Sequence, residues 1–215
     1  MPQTQGLDYY SKVPQNRLDC FLENDIEFII RYYCPQGWSK LLTLEEAQEI
    51  CDRGISLVVV YQESNTEKSD FNYENGHRQG IEAISRAEEI GQPYDSAIYF
   101  AVDAPAYKLG WIDKVVDYFH GVYDVFAEYS QHNGDSWKIG IYGGYNTVKF
   151  MDGRWGINHI WQTIAWSWES DQLQQHEQLD IIQYKVDTSA KPLYFCDTRV
   201  DRNKAVVKNY GQFII

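Results

Sequence analysis

The chain has 215 residues, 44% of them hydrophobic, with a formal charge of −12 and an isoelectric point near 4.8. That apolar content belongs to a globular protein with a substantial core, and no apolar stretch approaches the ~20 residues that span a bilayer. The acidic balance excludes nucleic-acid binding through phosphates, which needs clustered Lys and Arg, and disfavours anionic membrane surfaces. A neutral or cationic partner fits better.

In chain order, short apolar runs alternate with amphipathic stretches. Residues 6–10 (GLDYY) read as a first strand, 15–25 as a helix, and 26–33 (IEFIIRYY) as a second strand. Over 43–54, Thr43 stands three residues before Glu46, the spacing of a capping box, and Gly54 is the stop signal of that helix. A third strand covers 55–63, a helix 74–91 ends on Gly91 ahead of Pro93, and a fourth strand covers 96–103. The helix 111–132 and a fifth strand at 137–144 follow, and runs at 158–166, 179–185 and 193–201 complete eight strands. The last three have little helix between them.

Alternation of helices with near-continuous apolar strands predicts a parallel sheet covered on both faces. Eight such strands predict an α/β fold, a TIM-type (β/α) barrel with reduced late helices, in a single domain over 1–215. An open doubly wound sheet is the rival. It would want a Gly-rich phosphate loop after its first strand, and YGGY at 142–145 lacks the G-x-G-x-x-G spacing and follows the fifth.

Cys20, Cys34, Cys51 and Cys196 are scattered, with no C-x-x-C pair, and read as four reduced, buried thiols. The five histidines form no metal motif, so no metal or other cofactor is expected. The N-terminus has no basic start followed by an apolar run. The expectation is therefore a cytoplasmic protein or one exported without a cleaved signal. Aromatic residues make up 15% of the chain. Rings with a polar tip are what a carbohydrate site uses, because a sugar's C–H face stacks on the ring while its hydroxyls take hydrogen bonds.

In (β/α) barrels the reactive groups sit at the C-terminal ends of strands. Read in order, those ends carry Asp8, Arg31, Glu63, Asp103, Tyr142, Gln162, Gln183, and then Asp197 or Asp201. Within SAIYFAVD, Tyr99, Ala101 and Asp103 share one face, which aims Asp103 into the barrel mouth above a small residue. One strand-end Asp is commonly a helix cap; carboxylates on four strands suggest a site. Arg31 reads either as a mouth residue beside them or as half of a structural ion pair. Trp166 and Trp168 share a face just past the sixth strand and read as a stacking rim, whereas Trp161 reads as core.

These residues resemble the bacterial glycoside-hydrolase-like domain related to the family 25 lysozymes. The likeness is carried by GLDYY, TLEEAQEICDRGISLVVVYQES, GIEAISRAEEIGQPYDSAIYFAVD, YFHGV, IGIYGGY, WQTIAW, IIQY and VDRN, in that order over nearly the whole chain. The resemblance implies a flattened barrel acting on peptidoglycan or a related glycan. It places Asp8, Asp103 and Asp201 on the family's carboxylate positions. The glutamate of the lysozymes' D-x-E is missing, since Pro105 stands there. With two carboxyl groups needed for glycoside hydrolysis, Glu63 is the expected substitute acid, working with Asp103 while Asp8 and Asp201 hold the sugar. Arg31, Tyr142, Gln183, Trp166 and Trp168 are the expected substrate contacts of a monomeric, lysozyme-like muramidase. The alternative is a catalytically inactive, glycan-binding barrel, as part of an exported effector aimed at another cell's wall.

Overall fold

The computed structural model of the protein describes residues 3–166 and 174–215. Strand β1 (Thr4–Asp8) is followed by α1 (Gln15–Glu23), β2 (Phe28–Tyr33), α2 (Leu44–Cys51), β3 (Ser56–Tyr61) and α3 (Tyr73–Ile90). Then come β4 (Ala97–Ala101), α4 (Ile112–Asn133), β5 (Lys138–Gly144), α5 (Tyr145–Met151) and β6 (Ile157–Thr163). Strands β7 (Ile181–Lys185), β8 (Tyr194–Phe195), β9 (Thr198–Arg199) and β10 (Asp201–Ala205) complete the chain, and among the described residues no helix follows β6. The barrel closes in the order β1-β10-β7-β6-β5-β4-β3-β2. Its strands β1 to β7 are parallel, with a helix after each of the first five, which is the architecture expected of a TIM-type barrel.

The eighth strand differs from the sequence reading. Residues 193–201 do not form one strand: β8 and β9 pair as a small hairpin, and the barrel is closed by β10, antiparallel to both β1 and β7. Cys196 and Asp197, with φ of 47° and 52°, take the left-handed conformation of a two-residue hairpin turn, so the run cannot continue straight. The true closing strand, DRNKA, carries polar Asp201 and Asn203 at alternate positions, which hides it from a search for apolar runs. Its reversed direction has a consequence for the site. The first residue of β10, not its last, reaches the barrel end where the parallel strands finish, and there Asp201 pairs with Asp8.

The same closure corrects the cysteine assignment. Cys20 on α1 and Cys196 in the hairpin turn form a disulfide with Cα atoms 6.1 Å apart, and Arg17 bonds Asp197 beside it at 2.6 Å. Only Cys34 and Cys51 are free thiols, and both are buried. The two partners lie 176 residues apart, so no local spacing signals them.

Alternation along the strands builds two cores. Phe28, Ile30, Val58, Val60, Tyr99, Ala101 and Trp161 fill the barrel, while Ile29, Leu57, Val59 and Phe100 pack against the helices. Gly6 is required beneath Asp8 because a Cβ there would sit 2.2 Å from the Phe28 ring. The capping box of α2 forms by half. Thr43 Oγ1 accepts from the Glu46 N–H at 3.2 Å, but the Glu46 carboxylate is taken by Arg31, whose Nε and Nη2 donate to it at 2.8 and 3.2 Å.

Candidate active site

Parity within each strand selects the side chains that reach the mouth. Asp8 follows Gly6 on the inner face of β1, Asp103 continues the Tyr99–Ala101 line of β4, and Asp201 sits opposite Asp8 on β10. All three line one cavity of about 220 Å³, with Tyr32, Gln62, Tyr142, Trp161, Gln183 and Asp187 in its wall. A second cavity of about 380 Å³, flanked by Tyr9, Tyr10 and Arg199, shares Asp8, Tyr32, Asp187 and Asp201 with the first. Together they make a cleft with the aspartate pair at its middle.

Gln183 is the hub of the wall. Its Nε2 donates to Asp8 Oδ2 at 3.0 Å and to Asp201 Oδ2 at 2.9 Å, so two carboxyl groups share one amide nitrogen. Its Oε1 accepts from the Tyr142 hydroxyl at 3.1 Å and from Thr163 Oγ1, with the amide NH₂ toward the carboxylates. Asn203 is set the same way: Trp161 Nε1 donates to its Oδ1 at 2.9 Å, and its Nδ2 donates to Asp8 Oδ2 at 2.7 Å. Tyr32 completes the shell of Asp8, donating to Oδ1 at 3.2 Å. The Asp187 backbone N–H donates to Asp201 Oδ1.

These surroundings separate the three carboxyl groups. Burial, then the charge of Asp8, pushes Asp201 up to about 8, with Asp187 and Asp103 adding to the repulsion. Burial also raises Asp8, against the opposing pull of Asn203, Gln183 and Tyr32. The three side chains bonded to Asp8 all donate to it, which favours its charged form, and the charge of Asp8 in turn opposes ionisation of Asp201; the proton shared by the pair is assigned to Asp201. Asp103 is raised by burial as well, but here the Gln62 amide, the Lys40 ammonium and the Trp166 indole all favour the charged form. The Gln62 Nε2 donates to Asp103 Oδ2 at 3.3 Å.

Four of the strand-end residues do not join the cleft. Glu63 falls one position past Gln62, on the face turned to the helices. There Arg78 grips it with two hydrogen bonds of 2.6 and 2.9 Å and Tyr61 donates to it at 2.8 Å. Burial raises its pKa, but the Arg78 and Tyr61 hydrogen bonds outweigh this and hold it below the usual carboxylate range, the opposite of what an acid catalyst needs. Arg31 is fully buried on the outer face of β2, paired with Glu46 and donating to the backbone oxygens of Tyr9 and Tyr10. It is a structural ion pair between sheet and helix. Asp197 is outside too, in the hairpin turn with Arg17. Trp166 packs over Gly144 beside Asp103, and Trp168 lies outside the described residues. Gln162 turns outward, holding the segment at 174–176 through the Gln174 carbonyl and the His176 N–H.

Sequence reasoning passed over Tyr32, Gln62, Lys40, Thr163, Asp187 and Asn203. For Tyr32 and Gln62 the signal was present: each continues the inward parity of its strand, from Ile30 and from Val60.

The protein is thus a closed (β/α) barrel whose mouth gathers aspartates, oriented amides and aromatic rings. The chain belongs to the family of the Rv2525c-like, glycoside hydrolase-like domain, matching it over residues 19–205. Two Bacillus subtilis proteins are similar in sequence, the uncharacterized proteins YbfG (35% identical over 47% of this chain) and FadG (30% over 70%); the matches span only 14% and 26% of their lengths. The Tat-secreted protein Rv2525c of Mycobacterium tuberculosis, solved with L-tartrate, shares the fold at a TM-score of 0.77 and 19% identity, over 97% of this chain and 98% of that one. A family 25 glycosyl hydrolase of Bacillus anthracis aligns at 0.59 and 13%, over 96% and 93%. The autolysin LytC of Streptococcus pneumoniae, solved with a synthetic peptidoglycan ligand, aligns at 0.62 and 12%, over 94% and 46%.

Proposed function

We propose that the protein hydrolyses a glycosidic bond in peptidoglycan or a closely related glycan, using Asp201 as proton donor and Asp103 as the charged carboxylate. One observation carries this reading: Asp8, Asp103 and Asp201 converge on a single cavity, in which Asp201 is pushed up to about 8 by burial and the charge of Asp8 while Asp103 is raised by burial but opposed by the Gln62 amide and the Lys40 charge. Glycoside hydrolysis needs one carboxyl group that holds a proton near neutral pH and one that does not. Asp201, surrounded by carboxylates, is the first; Asp103, accepting from the Gln62 NH₂ and attracted by the Lys40 charge, is the second. In the reaction Asp201 gives its proton to the leaving glycosidic oxygen. Asp103 supports the positive charge that develops at the anomeric carbon, and water supplies the hydroxyl of the new reducing end while its other proton passes to the deprotonated Asp201, restoring the acid. Asp8, held by three donated hydrogen bonds, orients Asp201 through their shared Gln183. The exposed ring of Tyr10 on the adjoining cavity suits a stacked sugar.

The peptidoglycan ligand of LytC and the family 25 class of the Bacillus anthracis neighbour favour a cell-wall glycan. The disulfide favours a site of action outside a reducing cytosol. The test is release of reducing ends from purified peptidoglycan. Wild type should release them, Asp103→Asn should abolish turnover while keeping glycan affinity, and activity should fall as pH rises past 8. A wild type that binds peptidoglycan and releases nothing would favour the glycan-binding reading, for which Pro105 in place of the D-x-E glutamate is the specific observation.

A further inference from the structure

Lys40 is only 4% exposed, and its ammonium touches no carboxylate among the described residues. An unpaired buried charge is costly, so its position calls for a reason. The Nζ donates to the Glu63 backbone oxygen at 3.1 Å and to Gln62 Oε1 at 3.4 Å. It also stands over the rings of Tyr32 and Trp38, 5.0 and 5.5 Å from their centroids. Those π faces and two oxygens replace part of its hydration.

What this does to the cleft follows from hydrogen-bond polarity. The Gln62 amide has one accepting and one donating end, and Asp103 lies against it. An ammonium can only donate, so Oε1 must face Lys40 and the NH₂ must face Asp103. Were Lys40 neutral and apolar, the amide could rotate, present Oε1 to Asp103, and favour a protonated carboxyl instead.

We infer that Lys40 is a positioning residue for the hydrolysis proposed above: by occupying Gln62 Oε1 it commits that amide to donate to Asp103 and so keeps Asp103 charged. The inference rests on that reading for its purpose but not for its chemistry. The other groups facing Asp103 are Tyr142 and Trp166, with Asp8 and Asp201 across the cavity; those facing Lys40 are Cys34, Glu63 and Asp103. Burial lowers the Lys40 pKa to about 8, which leaves the ammonium protonated at neutral pH.

The experiment is a carboxyl-carbon NMR titration of Asp103 without substrate, in wild type, Lys40→Met, Gln62→Met and the double variant. Lys40→Met should raise the Asp103 midpoint by about one pH unit, and should add less than half that shift in the Gln62→Met background. Where methionine is not tolerated, Lys40→Leu should move the midpoint in the same direction. An unmoved midpoint overturns the inference, and so does an equal shift in both backgrounds, which would mean that the ammonium acts across space and not through the amide. In turnover, Lys40→Met should lower kcat with KM nearly unchanged and move the acidic limb of the pH profile upward with the midpoint. A wild type that cleaves no peptidoglycan but shows the midpoint shift would sink the hydrolase reading and leave this one standing. Cleavage with an unmoved midpoint would do the reverse.

Discussion

Replacing Asp201 with asparagine should stabilise the protein in mildly alkaline solution and do little, or slight harm, in acid. The wild-type carboxyl titrates at about 8 in the folded state against an ordinary value of 3.8, because burial and the Asp8 charge resist its ionisation. A carboxyl whose folded pKa is raised holds a proton that the unfolded chain has already lost. Its contribution to stability is therefore greatest below about pH 4 and is lost as pH rises toward 8. One proton over the three units from pH 5 to pH 8 is worth at most about 4 kcal/mol. Asp201 faces an open cleft, and water there screens the repulsion, so we expect about half, ~2 kcal/mol. Asparagine removes the charge and keeps an oxygen for the Asp187 N–H, but sets its own NH₂ against Gln183 Nε2. That lost hydrogen bond costs about 1 kcal/mol at any pH. The expected outcome is a variant about 1 kcal/mol less stable at pH 5 and about 1 kcal/mol more stable at pH 8. Urea unfolding at the two pH values measures it. Equal differences at both would mean that Asp201 ionises normally, and the assignment of the proton donor would fall with it.

Glu63→Gln should change turnover less than two-fold, since Glu63 is held by Arg78 on the helix side, and should cost at most about 1 kcal/mol for a partly exposed ion pair; a loss of activity as large as that of Asp103→Asn would return Glu63 to the mechanism. Cys20→Ser should lower stability by about 2–5 kcal/mol, the range for a native disulfide closing a long loop. Differential scanning calorimetry with and without reductant checks this, because reductant should lower the wild-type Tm and leave the variant unmoved.

Much of the cleft was legible in single strands. Tyr99, Ala101 and Asp103 alternate, and that count alone placed Asp103 inside. Applied to β3, the same count runs from Val58 and Val60 to Gln62 and puts Glu63 outside; applied to β2, it chooses Tyr32 and leaves Arg31 to the helices. Charge drew attention to Glu63 and Arg31, but a charged side chain next to a strand end is as readily satisfied by a helix residue, and Arg78 and Glu46 do so here.

By itself the sequence determined the barrel, the parallel run of its first seven strands, most helix boundaries and the inward Asp103, because each rests on periodicity or capping within a few residues. Only the tertiary structure decided the direction of β10, the Asp8–Asp201 pair on one amide nitrogen, the Cys20–Cys196 bridge and the Lys40–Gln62–Asp103 contact. Ring closure joins the first strand to the last, so Asp8 and Asn203 meet across 195 positions of chain. Contacts of that range are set by how the whole sheet twists and closes, which no local pattern encodes.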